Sequence, residues 1–366
     1  MTKARQILTV SMLCLLIGVF CVLHIALPDA KTSTSERRKL ASVPKITIES
    51  IFSSKFSGDL ETYLLDQFPA RDGFRMLKAI VRLAVFRQSD NNGIYLAETP
   101  NGTQICKQEY PTKENQVQLA IRKMNSVYET YLEGMNVYYA IVPDKNYYIA
   151  GPAGQPALDY ARIRQLMRES MANMTYIDLF DTLTINDYYR TDTHWKQEKL
   201  EPVVKKLAET MGFAYRWEYE THTLAPFRGV YYGQSALAVE PDTLTYLTNA
   251  ATESATVTSV EEAEPLPVYT TDLFAGIDGY DTYLSGAQAL MTIVNPDAAT
   301  DRELIIFRDS FGSSIAPLLI DSYAKITLID LRYVSSALLG RFVEFADQDV
   351  LFLYSTLILN SGGILK

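Results

Sequence analysis

The chain has 366 residues, of which 48% are hydrophobic, and its formal net charge is −9. This composition excludes a largely disordered chain, because the apolar residues are sufficient to build a sizeable core. After residue 40 the sequence holds 28 Lys and Arg against 41 Asp and Glu. That balance argues against nucleic acid and other polyanions as partners.

The first predicted element is a membrane-spanning helix. The run from Ile7 to Leu27 contains no Lys, Arg, Asp or Glu, and it has the ~20 residues that a helix needs to cross a bilayer. Basic residues lie on both sides of the run, so charge alone does not orient it. We expect residues 1–6 to be cytoplasmic, since a large domain behind a single early apolar segment is typical of export. The cleavage site is poor, with Pro28 two residues before Ala30, which favours an uncleaved signal anchor over a removed signal peptide.

Residues 28–45 are polar and predict a linker, and residues 46–366 are interpreted as one extracytoplasmic domain. The first half of this domain is predicted to contain helices at Gly58–Gln67, Arg71–Arg87, Asn115–Leu132 and Leu158–Met171, and strands at Asn136–Pro143 and Thr175–Leu179. Cys106 is the only cysteine outside the apolar run, so no disulfide can form within the domain. Because the linker has no hydrophobic periodicity, removal of Met1–Ser42 is expected to leave a soluble, folded domain.

The second half of the domain carries the clearest fold signal. Apolar runs at Leu304–Phe307, Lys325–Leu331 and Val350–Ser355 are separated by helix-length segments. Strands that alternate with helices predict an α/β fold, with a parallel sheet flanked by helices. The stretch from Gly212 to Thr300 has a different composition, and we expect it to form an inserted, irregular β lobe.

The stretch from Tyr188 to Trp195, YYRTDTHW, contains one of only three histidines. In an extended segment, residues two apart point to the same side, so Asp192 can orient the imidazole of His194. A carboxylate that holds Nδ1–H leaves Nε2 free to take a proton from a hydroxyl, which is the base half of a Ser-His-Asp arrangement. A lone Asp-x-His pair also occurs for structural reasons alone, and both interpretations stay open at this point.

Ser310 is the candidate nucleophile. It follows the predicted strand Leu304–Phe307 and precedes a helix expected to begin near Gly312 or Ser313. Open α/β sheets bind ligands at the carboxyl ends of their strands, and the amides at a helix N-terminus can donate to a developing oxyanion. The amides of Ser310, Phe311 and Gly312 are therefore the predicted donors. A serine in this position is also an ordinary helix cap.

These motifs resemble those of the DHHW proteins and, more distantly, of the alginate O-acetylation proteins AlgX and AlgJ, whose domain is SGNH-hydrolase-like. The resemblance rests mainly on YYRTDTHW, on IFRDSFGSSIAPLL (306–319) and on ITLIDLRY (326–333). It extends to FPARDGF (68–74), VPDKNYY (142–148) and LSGAQALMTIVNP (284–296), and it covers the chain from about Phe52 to the end.

The resemblance implies an SGNH-like fold with a rearranged motif order. In that fold Ser310 is the nucleophile, His194 is its base, and Asp192 orients the base. Thr193 stands where the family name records a histidine, and this departure spares both catalytic positions.

A second departure concerns the oxyanion hole. The sequence LSGAQ, residues 284–288, replaces a turn that resembles Gly-Gly-Asn in the family. Gly286 and Gln288 are therefore only weak candidates for side-chain or backbone donors.

Four further residues are candidates for contacts with substrate, each with a structural alternative. Trp195 could stack on a sugar ring or anchor a helix by packing. Arg332 could approach the acyl group or pair with the neighbouring Asp330. Lys145 and Asn146 follow a predicted strand and could line the crevice, although the segment is also a common turn former.

The sequence thus predicts a membrane-anchored extracytoplasmic enzyme that transfers an acyl group, most simply acetyl, to a cell-surface or secreted polysaccharide. Its partners would be the polysaccharide and an acyl donor, with a membrane acyl-transfer protein as one source. Neither a metal nor another cofactor is expected, because no His/Cys spacing suggests zinc and no Gly-rich phosphate loop occurs. The alternatives are a carbohydrate esterase and a carbohydrate-binding or scaffold protein of envelope polysaccharide assembly that has no turnover.

Overall fold

The computed structural model describes residues 3–33 and 35–366. This described chain forms two compact units. The smaller unit runs to Asn91 and includes Gly233–Ala238, and the larger unit comprises Asn92–Tyr232 and Val239–Lys366.

The smaller unit is mainly helical. Its helices are α1 (Lys3–Ala26), α2 (Ile48–Phe52), α3 (Lys55–Asp66) and α4 (Arg71–Ile80), and its two short antiparallel strands are β1 (Thr32–Ser33) and β2 (Arg38–Lys39). Among the described residues, α1 is the one helix that is long and apolar enough to cross a membrane. The helix predicted to reach Arg87 ends as an α-helix at Ile80 and continues as a π-helical turn over Val81–Val85.

The larger unit is an α/β structure, as the alternation of apolar runs and helix-length segments predicted. Its strands are β3 (Ile94–Thr99), β4 (Gly102–Lys107), β5 (Val137–Val142), β6 (Thr175–Ile177), β7 (Glu220–Phe227), β8 (Asp242–Thr248), β9 (Thr256–Ser259), β10 (Leu290–Val294), β11 (Glu303–Arg308), β12 (Lys325–Ile329) and β13 (Asp349–Ser355). Its helices are α5 (Glu114–Val127), α6 (Lys145–Ile149), α7 (Tyr160–Ser170), α8 (Glu201–Met211), α9 (Val230–Ser235, which leads into the smaller unit), α10 (Ala250–Ser254), α11 (Phe311–Ile315) and α12 (Thr356–Leu359).

Seven strands form the central sheet in the order β6-β5-β13-β11-β12-β10-β9. The five strands from β6 to β12 run parallel, whereas at one edge β10 pairs antiparallel with β12 and β9 pairs antiparallel with β10. Parallel strands are buried on both faces, and the side chains of β13 accordingly alternate between two cores. Leu351 and Leu353 pack in one core, and Val350, Phe352 and Tyr354 pack in the other.

The stretch from 212 to 300 contains irregular strands, as expected for the inserted lobe. Strands β7 and β8 form a separate antiparallel hairpin whose register shifts between Leu224 and Phe227. The same stretch also supplies β9 and β10 to the central sheet. Part of the expected lobe is therefore an extension of the sheet itself.

The sheet brings several of the predicted site residues to one edge. β11 ends at Arg308, two residues before Ser310, and β5 ends at Val142, three residues before Lys145. Because both strands run in the same direction in one sheet, their carboxyl ends lie at the same edge. The Asp192–His194 motif lies in the loop between β6 and α8.

Candidate functional site

Asp192 and His194 lie in a tight loop rather than in the extended segment that we expected. The loop is closed by an antiparallel bridge between Tyr188 and Trp195 and by a hydrogen bond from the Tyr189 amide to the His194 carbonyl (3.1 Å). Within it, the Asp192 carboxylate accepts from the His194 amide (3.0 Å) and lies 2.6 Å from Nδ1 of the same residue. The turn, and not alternation along a strand, brings the carboxylate to the imidazole.

Ser310 forms one hydrogen-bonded chain with these two residues. Its Oγ lies 2.7 Å from Nε2 of His194, although 116 positions separate the two residues in sequence. When Asp192 holds the proton on Nδ1, Nε2 is the acceptor for the serine hydroxyl. Asp192 and His194 are buried, whereas Ser310 is half-buried, so part of the serine remains exposed.

Asp309 holds the turn that presents Ser310. One of its carboxylate oxygens accepts from the Phe311 amide (3.0 Å), and the other accepts from the Ser355 amide at the end of β13 (2.8 Å). This side chain therefore fastens the start of α11 to the neighbouring strand. The residue after Phe311 must be a glycine, since a Cβ at Gly312 would lie 2.6 Å from the Cβ of Arg308.

Of the three amides predicted as oxyanion donors, two already have acceptors. The Phe311 amide donates to the Asp309 carboxylate, and the Gly312 amide donates to the Asp309 carbonyl (3.1 Å). In the part of the chain that the structure describes, the Ser310 amide has no hydrogen-bond acceptor. It is therefore the amide that can donate to a carbonyl oxygen when Oγ attacks the attached carbon.

The second oxygen of the Asp192 carboxylate, Oδ2, is contacted by the segment that leads into α9. The Val230 amide donates to Oδ2 at 2.7 Å. Gly229 approaches so closely that a Cβ would lie 2.3 Å from the Cβ of Asp192. Sequence analysis missed both residues, because nothing in their local pattern shows that this segment meets a loop almost forty residues earlier.

Lys145 lies beneath the loop of Asp192 instead of lining a substrate crevice. Its buried Nζ lies 2.7 Å from the carbonyl oxygen of Ile105 and 2.8, 3.0 and 3.2 Å from those of Tyr189, Arg190 and Asp192. Burial lowers the pKa of this ammonium. Contacts of this ammonium with the carbonyl oxygens of Tyr189, Arg190 and Asp192 fix the course of the loop that carries Asp192.

The ring of Tyr280 stacks on His194, a contact that sequence analysis did not predict. The ring centroids are 3.8 Å apart and the planes differ by 8°. The Tyr280 hydroxyl donates to Oγ of Ser314 (2.8 Å), which also accepts from Nε1 of Trp195 (2.8 Å). Trp195 is fully buried, at 0% exposure, so it packs inside the protein and presents no face to a sugar ring.

Arg308 is a buried cation that sequence analysis also missed. Its Nη1 donates to Oγ of Ser313 at 3.0 Å, whereas its Nε and Nη2 have no acceptor among the described residues. Burial lowers the pKa of this guanidinium, and the nearby Asp330 opposes that effect. The available signal was an arginine directly after the apolar run Leu304–Phe307.

The remaining predicted residues form structural contacts. Arg332 pairs with Asp330, with Nε 2.9 Å from a carboxylate oxygen, which is the alternative left open from sequence. Asn146 is buried and accepts from the Tyr95 hydroxyl at 2.5 Å.

The LSGAQ turn does not supply the predicted oxyanion donors either. The Gly286 amide donates to the Tyr283 carbonyl at 3.1 Å. The side chain of Gln288 accepts from the Ser259 hydroxyl at 2.7 Å through Oε1. Both groups are engaged in holding their own segments.

Comparison with known proteins indicates which family the chain resembles. A family model described as "DHHW protein" matches residues 165–329, a range that includes Asp192, His194 and Ser310. No curated protein matches the chain. The resemblance to DHHW proteins is therefore confirmed over the part of the chain that holds the site.

Solved structures share the fold. A DHHW family protein from Eubacterium siraeum aligns with a TM-score of 0.59 at 22% identity, over 75% of this chain and 95% of that one. PatB1 from Bacillus cereus, solved alone and with a sulfonyl adduct, aligns with a TM-score of 0.54 at 18% identity, and the adduct structure covers 74% of this chain and 97% of its own. The O-acetyltransferase domain of AlgJ from Pseudomonas putida aligns less closely, with a TM-score of 0.45 at 15% identity over 73% and 92% of the two chains, and no conclusion depends on it.

Proposed function

We propose that the chain is an acyltransferase that moves an acyl group, most simply acetyl, to a hydroxyl of a cell-surface or secreted polysaccharide. The observation that carries the proposal is the continuous hydrogen-bonded chain from Asp192 through His194 to Ser310. A serine hydroxyl aligned on the second nitrogen of an imidazole that a carboxylate orients is the arrangement of an activated nucleophile. A helix cap requires no such alignment.

In the first half-reaction, Oγ of Ser310 attacks the carbonyl carbon of the acyl donor while Nε2 of His194 takes the hydroxyl proton. Negative charge develops on the carbonyl oxygen, to which the Ser310 amide donates. Asp192 stabilises the imidazolium that forms. The bond to the leaving group then breaks, the leaving group takes the proton from His194, and an acyl-serine remains.

In the second half-reaction, a sugar hydroxyl gives its proton to His194 and attacks the acyl-serine. The ester of the sugar is released, and Ser310 recovers its proton from the imidazolium. Water in place of the sugar hydroxyl would give an esterase with the same first step. The family resemblance of the sequence motifs favours transfer.

The proposal also assigns a location to the reaction. Residues 7–27 would be a signal anchor, residues 28–45 a linker, and residues 46–366 an extracytoplasmic SGNH-like domain in which 212–300 is an insertion. The length and apolar composition of α1 support the signal anchor. The acyl donor would be supplied on the outer side of the membrane, with a membrane acyl-transfer protein as one source.

A carbohydrate-binding or scaffold protein without turnover is the competing candidate. It is favoured by the amides of Phe311 and Gly312, which already donate to Asp309 and cannot add to the oxyanion hole without rearrangement. In this candidate the fold would be kept for binding alone.

An activated acetyl ester offered with an acetyl-free oligosaccharide acceptor separates the three activities. Mass spectrometry of the products distinguishes acetylated oligosaccharide, which is expected, from free acetate alone, which would indicate an esterase. Ser310→Ala is the control and should form neither product. A folded wild-type chain that forms neither product and no acyl-enzyme would favour the scaffold.

A further inference from the structure

Helices α3 and α4 each turn a charged side chain into the smaller unit and leave large apolar side chains exposed. In α3, Asp66 is 7% exposed while the preceding Leu65 is 61% exposed. In α4, Leu77 is 55% exposed and Phe74 is 45% exposed, whereas Arg75 is half-buried. A surface helix of a domain surrounded by water has the opposite arrangement, with its apolar face toward the core.

The inward polar groups are satisfied by partners in the same unit. Arg38 forms an ion pair with Asp66. In α4, Arg71 and Arg75 lie 2.8 and 3.2 Å from the carboxylate of Glu36. These contacts fix the inward orientation of Asp66, Arg71 and Arg75, and the exposed apolar side chains point away from them.

The outward apolar faces are continuous with α1. Phe20 of α1 stacks on Phe68 with ring centroids 5.1 Å apart and meets Phe74 at 5.6 Å. A groove of about 560 Å³ between α1 and α3 is lined by apolar side chains that include Leu16, Ile17, Ile25 and Leu64. Phe20 precedes the end of α1 by six residues, or roughly 9 Å of helix. The contact thus lies at the depth of the last turns of α1.

The charge of this segment fits a lipid surface. From residue 71 to residue 87 the sequence has five basic residues, Arg71, Arg75, Lys78, Arg82 and Arg87, and one acidic residue, Asp72. Lys78 and Arg87 are exposed. Basic side chains beside exposed apolar ones are typical of helices that lie in a membrane interface, where anionic headgroups attract them.

We propose that α3 and α4 lie in the membrane–water interface at the carboxyl end of α1, with their apolar faces among lipid acyl chains. Lys78 and Arg87 would lie at the level of anionic headgroups, and an acyl chain would fill the groove between α1 and α3. The chain would then hold the membrane by an interfacial helix pair as well as by one spanning helix. This inference depends on the membrane-spanning role proposed for α1, but not on the acyl-transfer chemistry.

Nitroxide labels on the full chain in nanodiscs of phosphatidylcholine and phosphatidylglycerol test the proposal. In a Cys14→Ser, Cys21→Ser background, Leu77→Cys probes the apolar face, and Asp72→Cys is the matched control because Asp72 is an exposed polar residue in the first turn of the same helix. Cys106 is buried and stays unlabelled. We expect the Leu77→Cys label to be relaxed by oxygen and to lose its accessibility to an aqueous nickel chelate, whereas the Asp72→Cys label stays accessible to nickel.

A label at Leu13→Cys in the same background reports separately on α1. If that label is buried in lipid but the Leu77→Cys label is as accessible to nickel as the Asp72→Cys label, the apolar face lies in water and the proposal fails. It also fails if the Leu77→Cys label is shielded from both reagents, because protein then covers the face. A Leu13→Cys label accessible to nickel would remove the premise that α1 spans the membrane. Acylation of Ser310 in the same samples reports on the proposed function independently.

Discussion

At the scale of single residues, each oxygen of the Asp192 carboxylate has its own partner. Oδ1 holds the amide and the Nδ1 of His194, and Oδ2 accepts from the Val230 amide. This second contact exists only because Gly229 has no side chain where the two segments meet. The position of the carboxylate, and through it the orientation of the imidazole, therefore depends on a glycine.

Gly229→Ala is expected to slow acylation of Ser310 by at least about tenfold, because an added Cβ would overlap Asp192 and displace its carboxylate from His194. The measurement is the rate of labelling of Ser310 by a sulfonyl fluoride. Gly151→Ala is the control, since a Cβ at Gly151 would meet no atom within 4 Å, and its rate should equal that of the wild type. Equal rates for Gly229→Ala and the wild type would show that Asp192 does not position the base.

The three central residues could be predicted from sequence, but their surroundings could not. Asp192, His194 and Ser310 have the chemistry of a base and a nucleophile, and they lie next to recognisable strand ends. Tyr280 lies in a 3₁₀ turn far along the chain, and only the folded sheet brings its ring onto His194. For Trp195, the sequence left a sugar platform and a packing anchor open, and its full burial favours the packing anchor. The sequence could not decide this, because a residue's burial depends on packing that its neighbours in sequence do not reveal.

At the scale of elements, α6 supports the loop of Asp192 through one side chain. Lys145 begins that helix, and its buried Nζ lies within hydrogen-bonding distance of three carbonyl oxygens of the loop, those of Tyr189, Arg190 and Asp192. A cation can hold several carbonyl oxygens that no neutral side chain of the same shape can satisfy. The loop is therefore expected to depend on this charge for its shape.

Lys145→Met should lower the free energy of unfolding by about 3 kcal/mol, because it leaves buried carbonyl oxygens without a donor. It should also slow labelling of Ser310. Lys325→Met is the matched control, since Lys325 makes only a partly exposed ion pair with Glu303, and its loss should cost at most about 1 kcal/mol. Denaturation in detergent measures both effects, and equal losses for the two variants would contradict the supporting role of Lys145.

The elements that were predicted most accurately are the strands that are buried on both faces, because such burial requires apolar side chains. Strands β11, β12 and β13 are mostly apolar between their charged or polar end residues, because both faces of the sheet are covered, and their sequences were therefore easy to recognise. Strand β9, Thr256–Ser259, lies at the sheet edge and has a mixed sequence, so it was assigned to an irregular lobe. Helices α3 and α4 were predicted as helices, but periodicity alone does not reveal which face points inward.

At the scale of the whole molecule, the segment before α2, proposed above as a linker, makes specific contacts within the smaller unit. Arg38 pairs with the buried carboxylate of Asp66, and the Ala41 amide donates to the same carboxylate at 2.9 Å. Hydrogen bonding to Arg38 lowers the pKa of Asp66 to about 2, so this carboxylate is charged at neutral pH.

Deletion of Met1–Ser42 is therefore expected to destabilise the smaller unit, in contrast to the expectation from sequence. The deletion leaves Asp66 as a buried charge without its partner and leaves the apolar faces of α3 and α4 in water. Size-exclusion chromatography should show aggregation without detergent and recovery with it. A monomeric, cooperatively melting product without detergent would contradict this account of the smaller unit.

Asp144 gives the larger unit a dependence on pH. Burial raises the pKa of Asp144 to about 6, although hydrogen bonds from Thr356, Asn146 and Tyr160 oppose the shift. A carboxyl group whose pKa is higher in the folded than in the unfolded chain stabilises the fold while it is protonated, and this stabilisation is lost as pH rises through the folded pKa. Relative to Asp144→Asn, the wild type should thus lose about 2 kcal/mol between pH ~4 and pH ~7. Denaturation of both proteins across this range measures the difference, and a difference independent of pH would show that Asp144 is ionised throughout.

The most direct test of the whole account is whether Ser310 becomes acylated. The full chain is mixed with an activated acetyl ester, quenched at successive times and analysed by intact mass, with peptide mapping of the modified site. We expect one acetyl group, located on Ser310, that forms in the wild type and is abolished in Ser310→Ala and in His194→Ala, while the melting temperatures of both variants stay close to that of the wild type. Acetylation at other residues only, or acetylation of Ser310 that persists at the wild-type rate in His194→Ala, would contradict the proposed nucleophile and its base.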